Sequence, residues 1–261
     1  MVALAVASCG GKIDGDSTGA GSYRGSGQPG DPAGADPAGA RQGAPPPTTR
    51  PPCAIREPIR EGFDSGLPGP EWGAAPGALA FDGTAPISGA RSLKIDVARA
   101  ILYRGFLTRS VEPACAATLR LSIRMAAPLF GAGEAATIAR LVAPPAFLDV
   151  VLGPDGSVAL VEGGAGRSPT VDAGELPPAS AGKAHPLGSV AADAPSTLTL
   201  MIDLSAGTLW GSVSPLGAPA SSGRASSLEV GRGGELTNLL VGMFTTTART
   251  GTYWLDDLAL E

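Results

Sequence analysis

Apolar and polar residues alternate along several short stretches of the chain from residue 53 onward. The clearest are residues 92–97, 118–125 and 197–204, where every second side chain is leucine, isoleucine, valine or methionine. A period of two places the apolar side chains on one face of a β-strand and the polar side chains on the other. These stretches therefore predict half-buried strands.

Two pairs of such strands are joined by turn residues and predict β-hairpins. Residues 150–160 turn at Gly153-Pro-Asp-Gly156, and residues 198–213 turn at Ser205-Ala-Gly207. The segment 163–196 is rich in Gly, Ala and Pro and is expected to form long loops. Further strands are predicted at 56–63, 79–82, 101–108, 137–142, 236–246 and 252–260. Many short strands without a convincing helical period predict an all-β fold, a two-sheet antiparallel β-sandwich or a barrel.

Residues 10–52 have a different composition and predict a linker. The segment is rich in Gly and Pro, and its only large apolar residues are Ile13 and Tyr23. The pentad Asp-Pro-Ala-Gly-Ala occurs twice in tandem over residues 31–40. Such a segment cannot bury enough apolar surface to offset its conformational entropy. We therefore predict a disordered linker over 10–52 and one β-sandwich domain over 53–261.

Composition excludes several classes of protein. The 261 residues include 38 Gly and 25 Pro, a content that argues against helix bundles and coiled coils. The 19 Lys and Arg face 24 Asp and Glu, which argues against a nucleic-acid partner. No apolar run approaches the ~20 residues that a membrane-spanning helix needs.

The first residues resemble the lipobox of bacterial lipoproteins, here Val6-Ala-Ser-Cys9. The resemblance implies that 1–9 is a signal peptide and that Cys9 becomes an acylated first residue at the outer membrane. Two or more acyl chains anchor a protein stably where one does not. No Lys or Arg precedes Cys9 and the apolar run is short, so either the true start codon lies upstream or the segment is not a signal. The alternative is an incidental Cys9 in a cytosolic protein.

Cys53 and Cys115 are the two remaining cysteines, an even pair in a compartment that would be oxidising. We predict that they form a disulfide which ties the first segment of the domain to its body. The alternative is two separate free thiols. Neither cysteine has a CxxC partner, and one histidine is too few for a zinc site.

Three pieces of the domain resemble the concanavalin A-like (laminin-G-like) lectin and glucanase sandwiches and the jelly-roll carbohydrate-binding modules. These are Glu61-Gly-Phe63-Asp64 with Trp72 after it, residues 88–93, and residues 253–258. The resemblance implies a jelly roll in which the first and last strands of the domain are neighbours. This fold carries lectins, hydrolases and inert spacers, so it does not by itself fix a function.

The chain lacks the sequence signals of an enzyme. The Glu-x-Asp-x-(x)-Glu strand motif of the related glucanases is absent, and no Gly-x-Ser-x-Gly elbow is present. His185 is the only histidine and is expected to be a solvated loop residue. We therefore predict a non-catalytic protein, with a diverged polysaccharide hydrolase as the less favoured alternative.

Three aspartates define a candidate calcium site. Asp64 follows the first predicted strand of the domain, and Asp256 and Asp257 lie in the last. In the jelly-roll modules that the chain resembles, these strands often share a structural Ca²⁺, an ion that prefers carboxylate and carbonyl oxygens. The alternative is that one aspartate caps a turn and another faces solvent.

A candidate sugar platform lies on the strand 208–213. Trp210 alternates with Leu209 and stands between Thr208 and Ser212, on the polar side of the strand. A large aromatic side chain on a polar face can mark a binding site. The alternative is a sheet packed on both faces with Trp210 in the core, where Trp72 and Trp254 are also expected.

Taken together, these features predict a monomeric, lipid-anchored protein of the bacterial cell envelope. The acyl chains would be its only membrane contact, and its jelly roll would bind polysaccharide or another envelope protein. A tether raises the effective concentration at the partner surface, so weak intrinsic binding would suffice. The alternative is a passive structural or protein-binding scaffold of the envelope.

Overall fold

The computed structural model describes residues 41–43, 53–75, 79–102, 105–164, 183–219, 223–229, 232–243 and 246–261. The predicted lipidation site Cys9, the signal segment 1–9 and most of the predicted linker 10–52 lie outside these residues. The one described part of 10–52 is a short strand, Arg41–Gly43. No helix among the described residues is long and apolar enough to cross a membrane.

Strands are the main element of the described residues, which also contain a six-residue helix α1 at Val97–Leu102 and a short 3-10 turn at Pro154–Gly156. The strands are β1 Arg41–Gly43, β2 Ile59–Glu61, β3 Gly73–Ala75, β4 Leu79–Asp82, β5 Ser92–Asp96, β6 Gly105–Ala114, β7 Ala116–Met125, β8 Ala136–Ala143, β9 Ala146–Leu152, β10 Ser157–Gly164, β11 Ala184–Ser189, β12 Ser196–Asp203, β13 Thr208–Pro215, β14 Gly223–Ser227, β15 Leu236–Met243 and β16 Thr252–Leu260.

Two antiparallel sheets form a sandwich, which confirms the all-β prediction. Sheet 1 has the order β1-β14-β13-β12-β7-β16-β5-β4, and sheet 2 has the order β11-β10-β9-β8-β15-β6-β3. Strand β2 also pairs with β16, through Leu258 opposite Glu61. The strand near the start of the domain and the last strand are therefore neighbours, as the jelly-roll resemblance implied.

The core lies between the sheets and follows the predicted alternation. On β12, Leu198, Leu200 and Ile202 are buried, and the side chains between them are only half-buried. Strand β7 adds Leu119 and Leu121 to the same core. Each such side chain contributes about 1.5–3 kcal/mol when it is fully removed from water. The polar positions of these strands consequently lie on the outer face of sheet 1.

Besides β1, which pairs with β14 inside the segment 10–52 that was expected to be a disordered linker, two local predictions differ from the structure. Strand β11 lies inside the segment 163–196, which was expected to be loops. It is an edge strand in which Pro186 and Gly188 interrupt the apolar pattern, and an edge tolerates proline because one side of the strand needs no hydrogen-bond donor. The second difference is α1, whose six residues are too few to show a helical period and which ends inside the predicted strand 101–108.

A disulfide joins Cys53 to Cys115, as predicted. The two Cα atoms are 5.4 Å apart, and the backbone N–H of Cys115 donates to the carbonyl of Cys53 over 3.0 Å. Cys115 is the single residue between β6 and β7, the strands that carry the chain from sheet 2 to sheet 1. The bridge therefore attaches the first residues of the domain to the connection between its two sheets.

Candidate functional site

The outer face of sheet 1 carries hydroxyl-bearing side chains at adjacent positions of three strands. On β12, Thr197 lies opposite Ser122 of β7 on one side and Ser214 of β13 on the other. Two residues along β12, Thr199 lies opposite Arg120 of β7. The two threonines are half-buried and Arg120 is exposed. Ser122 is only 2 % exposed and donates its hydroxyl to Asp257, so this part of the face offers the hydroxyls of Thr197, Thr199 and Ser214 beside the Arg120 guanidinium.

A tryptophan with two cationic neighbours lies beside these hydroxyl groups, on β16. The Arg124 guanidinium carbon is 4.3 Å from the centroid of the Trp254 ring, and the Lys94 Nζ is 5.5 Å from it. The indole Nε1 donates to Asp82 Oδ2 over 3.0 Å. We call Trp254, Arg124, Lys94 and Asp82 the Trp254 cluster. Strands β5 and β7 pair with β16 on either side of Trp254 and hold its ring in place. All four residues of the cluster are half-buried.

Asp82 stays ionised within this cluster. The hydroxyl of Thr84, the indole of Trp254 and the backbone N–H of Thr84 all donate to its carboxylate, and they hold its pKa well below its usual range. The Lys94 ammonium lies 3.6 Å away and acts in the same direction. The cluster consequently presents a fixed anion, two cations and an aromatic ring at the surface.

The sequence pattern predicted Trp254 in the core, and the structure corrects this. Tyr253 and Leu255 on either side point into the core and are fully buried, so alternation turns Trp254 outward. The alternation of residues 252–255 already indicated that Trp254 lies on the face opposite Tyr253 and Leu255. The size of the ring suggested burial and outweighed that signal. Trp72, by contrast, belongs to the core as expected.

Trp210 and Ser212 are not the open platform that their strand pattern predicted. Leu209 packs in the core and Trp210 faces the other way, as the alternation required, but Trp210 is only 3 % exposed and Ser212 only 1 %. Gly223 of β14 lies against the indole, so close that a Cβ on it would lie 2.3 Å from ring carbons. The missing side chain lets the ring settle against the neighbouring strand. Of the three residues of the predicted sugar platform, Thr208, Trp210 and Ser212, only Thr208 is exposed.

The three aspartates of the calcium prediction all bind the segment 88–92. Asp256 is buried, and its Oδ2 accepts hydrogen bonds from the backbone N–H of Ser88 over 3.1 Å and from the Ser92 hydroxyl over 2.7 Å. Asp257 Oδ1 accepts from the Ser88 hydroxyl over 2.7 Å. Asp64 Oδ1 accepts from two backbone N–H groups of the same segment, those of residues 90 and 91. The carboxylates therefore fix this loop against both ends of the domain.

Burial raises the pKa of Asp256, an effect that its hydrogen bonds oppose. Among the residues that the structure describes, no group of three or more His, Cys, Asp and Glu is placed to hold a metal ion. Calcium binding by Asp64, Asp256 and Asp257 stays a prediction. A chelator that leaves the melting temperature unchanged, with no metal found by mass analysis, would contradict it.

His185 is not the solvated loop residue that its sequence context predicted. It lies on β11, points inward beside the core and is 4 % exposed. Its imidazole is held between Glu162 of β10 and Ser226 of β14. No sequence signal marks this arrangement, because Glu162, His185 and Ser226 are far apart in the chain and Ser226 belongs to the other sheet.

No protein-family model and no curated protein matches the sequence. Among solved structures, a botulinum neurotoxin DC binding domain in complex with SialylT is 7 % identical over 73 % of this chain, with a TM-score of 0.50. A botulinum neurotoxin type C structure, whose subject is cell entry that depends on two ganglioside molecules, is 8 % identical over 73 % with a TM-score of 0.51. A botulinum neurotoxin DC binding domain in complex with rat synaptotagmin II gives the same three values. The chain spans 42–43 % of the length of these structures, and the likeness is one of fold.

Proposed function

We propose that the domain binds carbohydrate on the outer face of sheet 1, at the Trp254 cluster. The observation that carries the proposal is an aromatic ring held at the surface beside fixed charges and strand hydroxyls. Sugars present apolar C–H faces and many hydroxyl groups, so they are recognised by a ring with hydrogen-bonding side chains around it.

Two features support the Trp254 cluster over the surroundings of Trp210, which lies on the same face of sheet 1. Trp254 is half-buried with Arg124 and Lys94 beside its ring, whereas Trp210 is only 3 % exposed. The Trp254 ring is also oriented by its indole bond to Asp82, which reduces the entropy lost when a ligand binds. The botulinum neurotoxin structures of similar fold, one with SialylT and one concerned with gangliosides, are consistent with the same class of ligand.

The experiment is a binding screen of the purified chain against soluble cello-, manno- and sialyl-oligosaccharides and bacterial cell-wall fragments. Arg124→Ala removes the closest cation from the Trp254 ring and should weaken binding about 5- to 30-fold, the equivalent of ~1–2 kcal/mol. The matched control is Arg109→Ala on β6 of sheet 2, whose guanidinium lies 5.9 Å from the Trp72 ring. Loss of binding in both variants alike, or no binding to any sugar, would contradict the proposal.

We also propose that the chain is anchored to the bacterial outer membrane through acyl groups on Cys9. Support comes from the lipobox-like residues before Cys9 and from the Gly- and Pro-rich sequence after it. Such a layout would hold the sugar-binding face at a distance from the bilayer. Mass spectrometry of the protein expressed with its upstream codons should find acylated Cys9, and Cys9→Ser should release the protein. An unmodified, uncleaved N-terminus would contradict the anchor.

A further inference from the structure

Three polar side chains form a chain of hydrogen bonds where one edge of sheet 2 meets sheet 1. His185 Nε2 lies 2.6 Å from Glu162 Oε1, and His185 Nδ1 contacts the Ser226 hydroxyl. Strand β11, which carries His185, packs against β13 and β14 of the opposite sheet. The three residues, which we call the Ser226 relay, belong to neither the Trp254 cluster nor the aspartates around residues 88–92.

The contacts of Glu162 favour one arrangement of the protons on the His185 imidazole. Its second oxygen, Oε2, accepts a hydrogen bond from the backbone N–H of Glu229 over 2.7 Å. The tautomer of His185 that completes the chain of hydrogen bonds donates from Nε2 to Glu162 Oε1. In the neutral ring the other nitrogen, Nδ1, then carries a lone pair and accepts the proton of the Ser226 hydroxyl. The imidazole is thus placed to act as a base toward Ser226.

Solvent exposure increases along the relay from Glu162 through His185 to Ser226. Glu162 is 1 % exposed and His185 is 4 % exposed, while Ser226 is half-buried. The acid and the imidazole are therefore shielded from water, which strengthens the interaction between them, while Ser226, which lies opposite Leu209 on the inner side of β14, keeps part of its surface exposed. His185 occupies an inward position opposite Leu160, where an apolar side chain would be the ordinary choice.

A surface ion pair between Lys183 and Glu229 lies next to the Ser226 relay. The Lys183 ammonium lies 3.0 Å from the Glu229 carboxylate and donates to the carbonyl of Ser227 over 3.2 Å. It thereby fixes the backbone immediately after Ser226 from the side of β11. The backbone N–H of Glu229 and its side chain connect this surface pair to the buried Glu162.

We propose that Ser226 is a nucleophile that takes the acyl group of a carboxylic ester, with His185 as its base and Glu162 as the residue that positions the imidazole. The same three roles define the Ser-His-Asp arrangement of hydrolases, although here the two ring nitrogens are exchanged. This inference goes beyond sugar binding and does not depend on it.

The proposed reaction has two steps. The Ser226 Oγ forms a bond to the ester carbonyl carbon as its proton moves to His185 Nδ1. The bond to the leaving alkoxide then breaks, and the alkoxide takes that proton and departs as an alcohol. In the second step water replaces Ser226 on the acyl carbon, again through His185, and a carboxylic acid leaves.

The test is covalent labelling of the full chain with a fluorophosphonate, a reagent that reacts with base-activated serine hydroxyls. Tandem mass spectrometry should find the label on Ser226, and Ser226→Ala should abolish it. The matched control is Ser227→Ala, which removes the exposed neighbouring hydroxyl and should leave labelling unchanged. No labelling of the wild type at Ser226, or equal labelling of several serines, would overturn the proposal.

Two further variants separate chemistry from a structural role. Glu162→Gln keeps the shape of the side chain but replaces one accepting oxygen by an NH2 donor, and it should slow labelling about 10-fold or more at an unchanged circular dichroism spectrum. His185→Gln should slow labelling further and make its rate independent of pH, because no base is left to take the Ser226 proton. If labelling persists at the wild-type rate in Glu162→Gln and shows no pH dependence in the wild type, the relay only holds the two sheets together.

Discussion

The ion pair between Arg140 of β8 and Asp149 of β9 gives the sharpest stability prediction. Both side chains are fully buried, and the guanidinium donates from Nε over 2.6 Å and from Nη2 over 2.8 Å to the two carboxylate oxygens. The Arg140 guanidinium carbon also lies 4.0 Å from the centroid of the Phe147 ring. Asp149→Ala removes these two hydrogen bonds and leaves the buried Arg140 guanidinium without the Asp149 carboxylate.

The expected loss is about 3–5 kcal/mol of the free energy of unfolding, the usual cost of breaking a buried ion pair on one side. Two charge-assisted bonds at ~1.5–3 kcal/mol each lead to a similar value. Replacing both residues by apolar ones, as in Arg140→Met with Asp149→Leu, should recover most of that loss because no charge stays buried.

Urea unfolding at pH 7 measures these differences, with the slope of the transition as a check that both states keep their compactness. The control is Glu112→Ala, which breaks an ion pair with Arg56 whose side chains are 46 % and 78 % exposed. It should cost less than ~1 kcal/mol. If Asp149→Ala loses as little stability as Glu112→Ala, or if the loss of the double variant equals the sum of its two single losses, the buried ion pair does not act as described.

Three further predictions concern separate parts of the domain. Replacing Cys53 and Cys115 by serine should lower the free energy of unfolding in urea by about 4 kcal/mol, because the bridge closes a loop with a sequence separation of 62; an unchanged midpoint would contradict this. Asp82→Asn should destabilise the domain at pH 7, and its difference from the wild type should shrink as the pH falls below the unfolded-state pKa of 3.8, since the native pKa is lower; a difference that stays constant with pH would exclude this cause. Gly223→Ala should lower the melting temperature, with a loss of about 1–3 kcal/mol, because the new Cβ would collide with the Trp210 ring; an unchanged melting temperature would show that the ring can move aside.

The strands of the sandwich were predictable wherever one face of a sheet meets the core. In residues 118–125 and 197–204 every second side chain is apolar, and the strands β7 and β12 bury those side chains. Strand β11 was not predictable in this way, because its inward positions are held by His185 and Leu187 with Pro186 between them. An edge strand with a polar core residue lacks the apolar period on which such predictions depend.

The candidate sites were less accessible to sequence reasoning. Alternation assigned Trp210 to the correct face but carries no information on what packs against that face, and Gly223 comes from a different strand. The Ser226 relay joins residues separated by 23 and 41 positions across two sheets. Such contacts follow from topology, and local patterns do not encode them.

The proposed binding face can be tested most directly through the indole N–H signals of the three tryptophans in a nitrogen-15 NMR spectrum. The Trp254 signal is assigned by its loss in Trp254→Phe and is followed during titration with the oligosaccharide that binds best in the screen. If sugar binds at the Trp254 cluster, this signal should shift in proportion to occupancy while the signals of the buried Trp72 and Trp210 stay in place. Saturable binding that leaves the Trp254 signal unmoved would contradict a sugar site on the outer face of sheet 1.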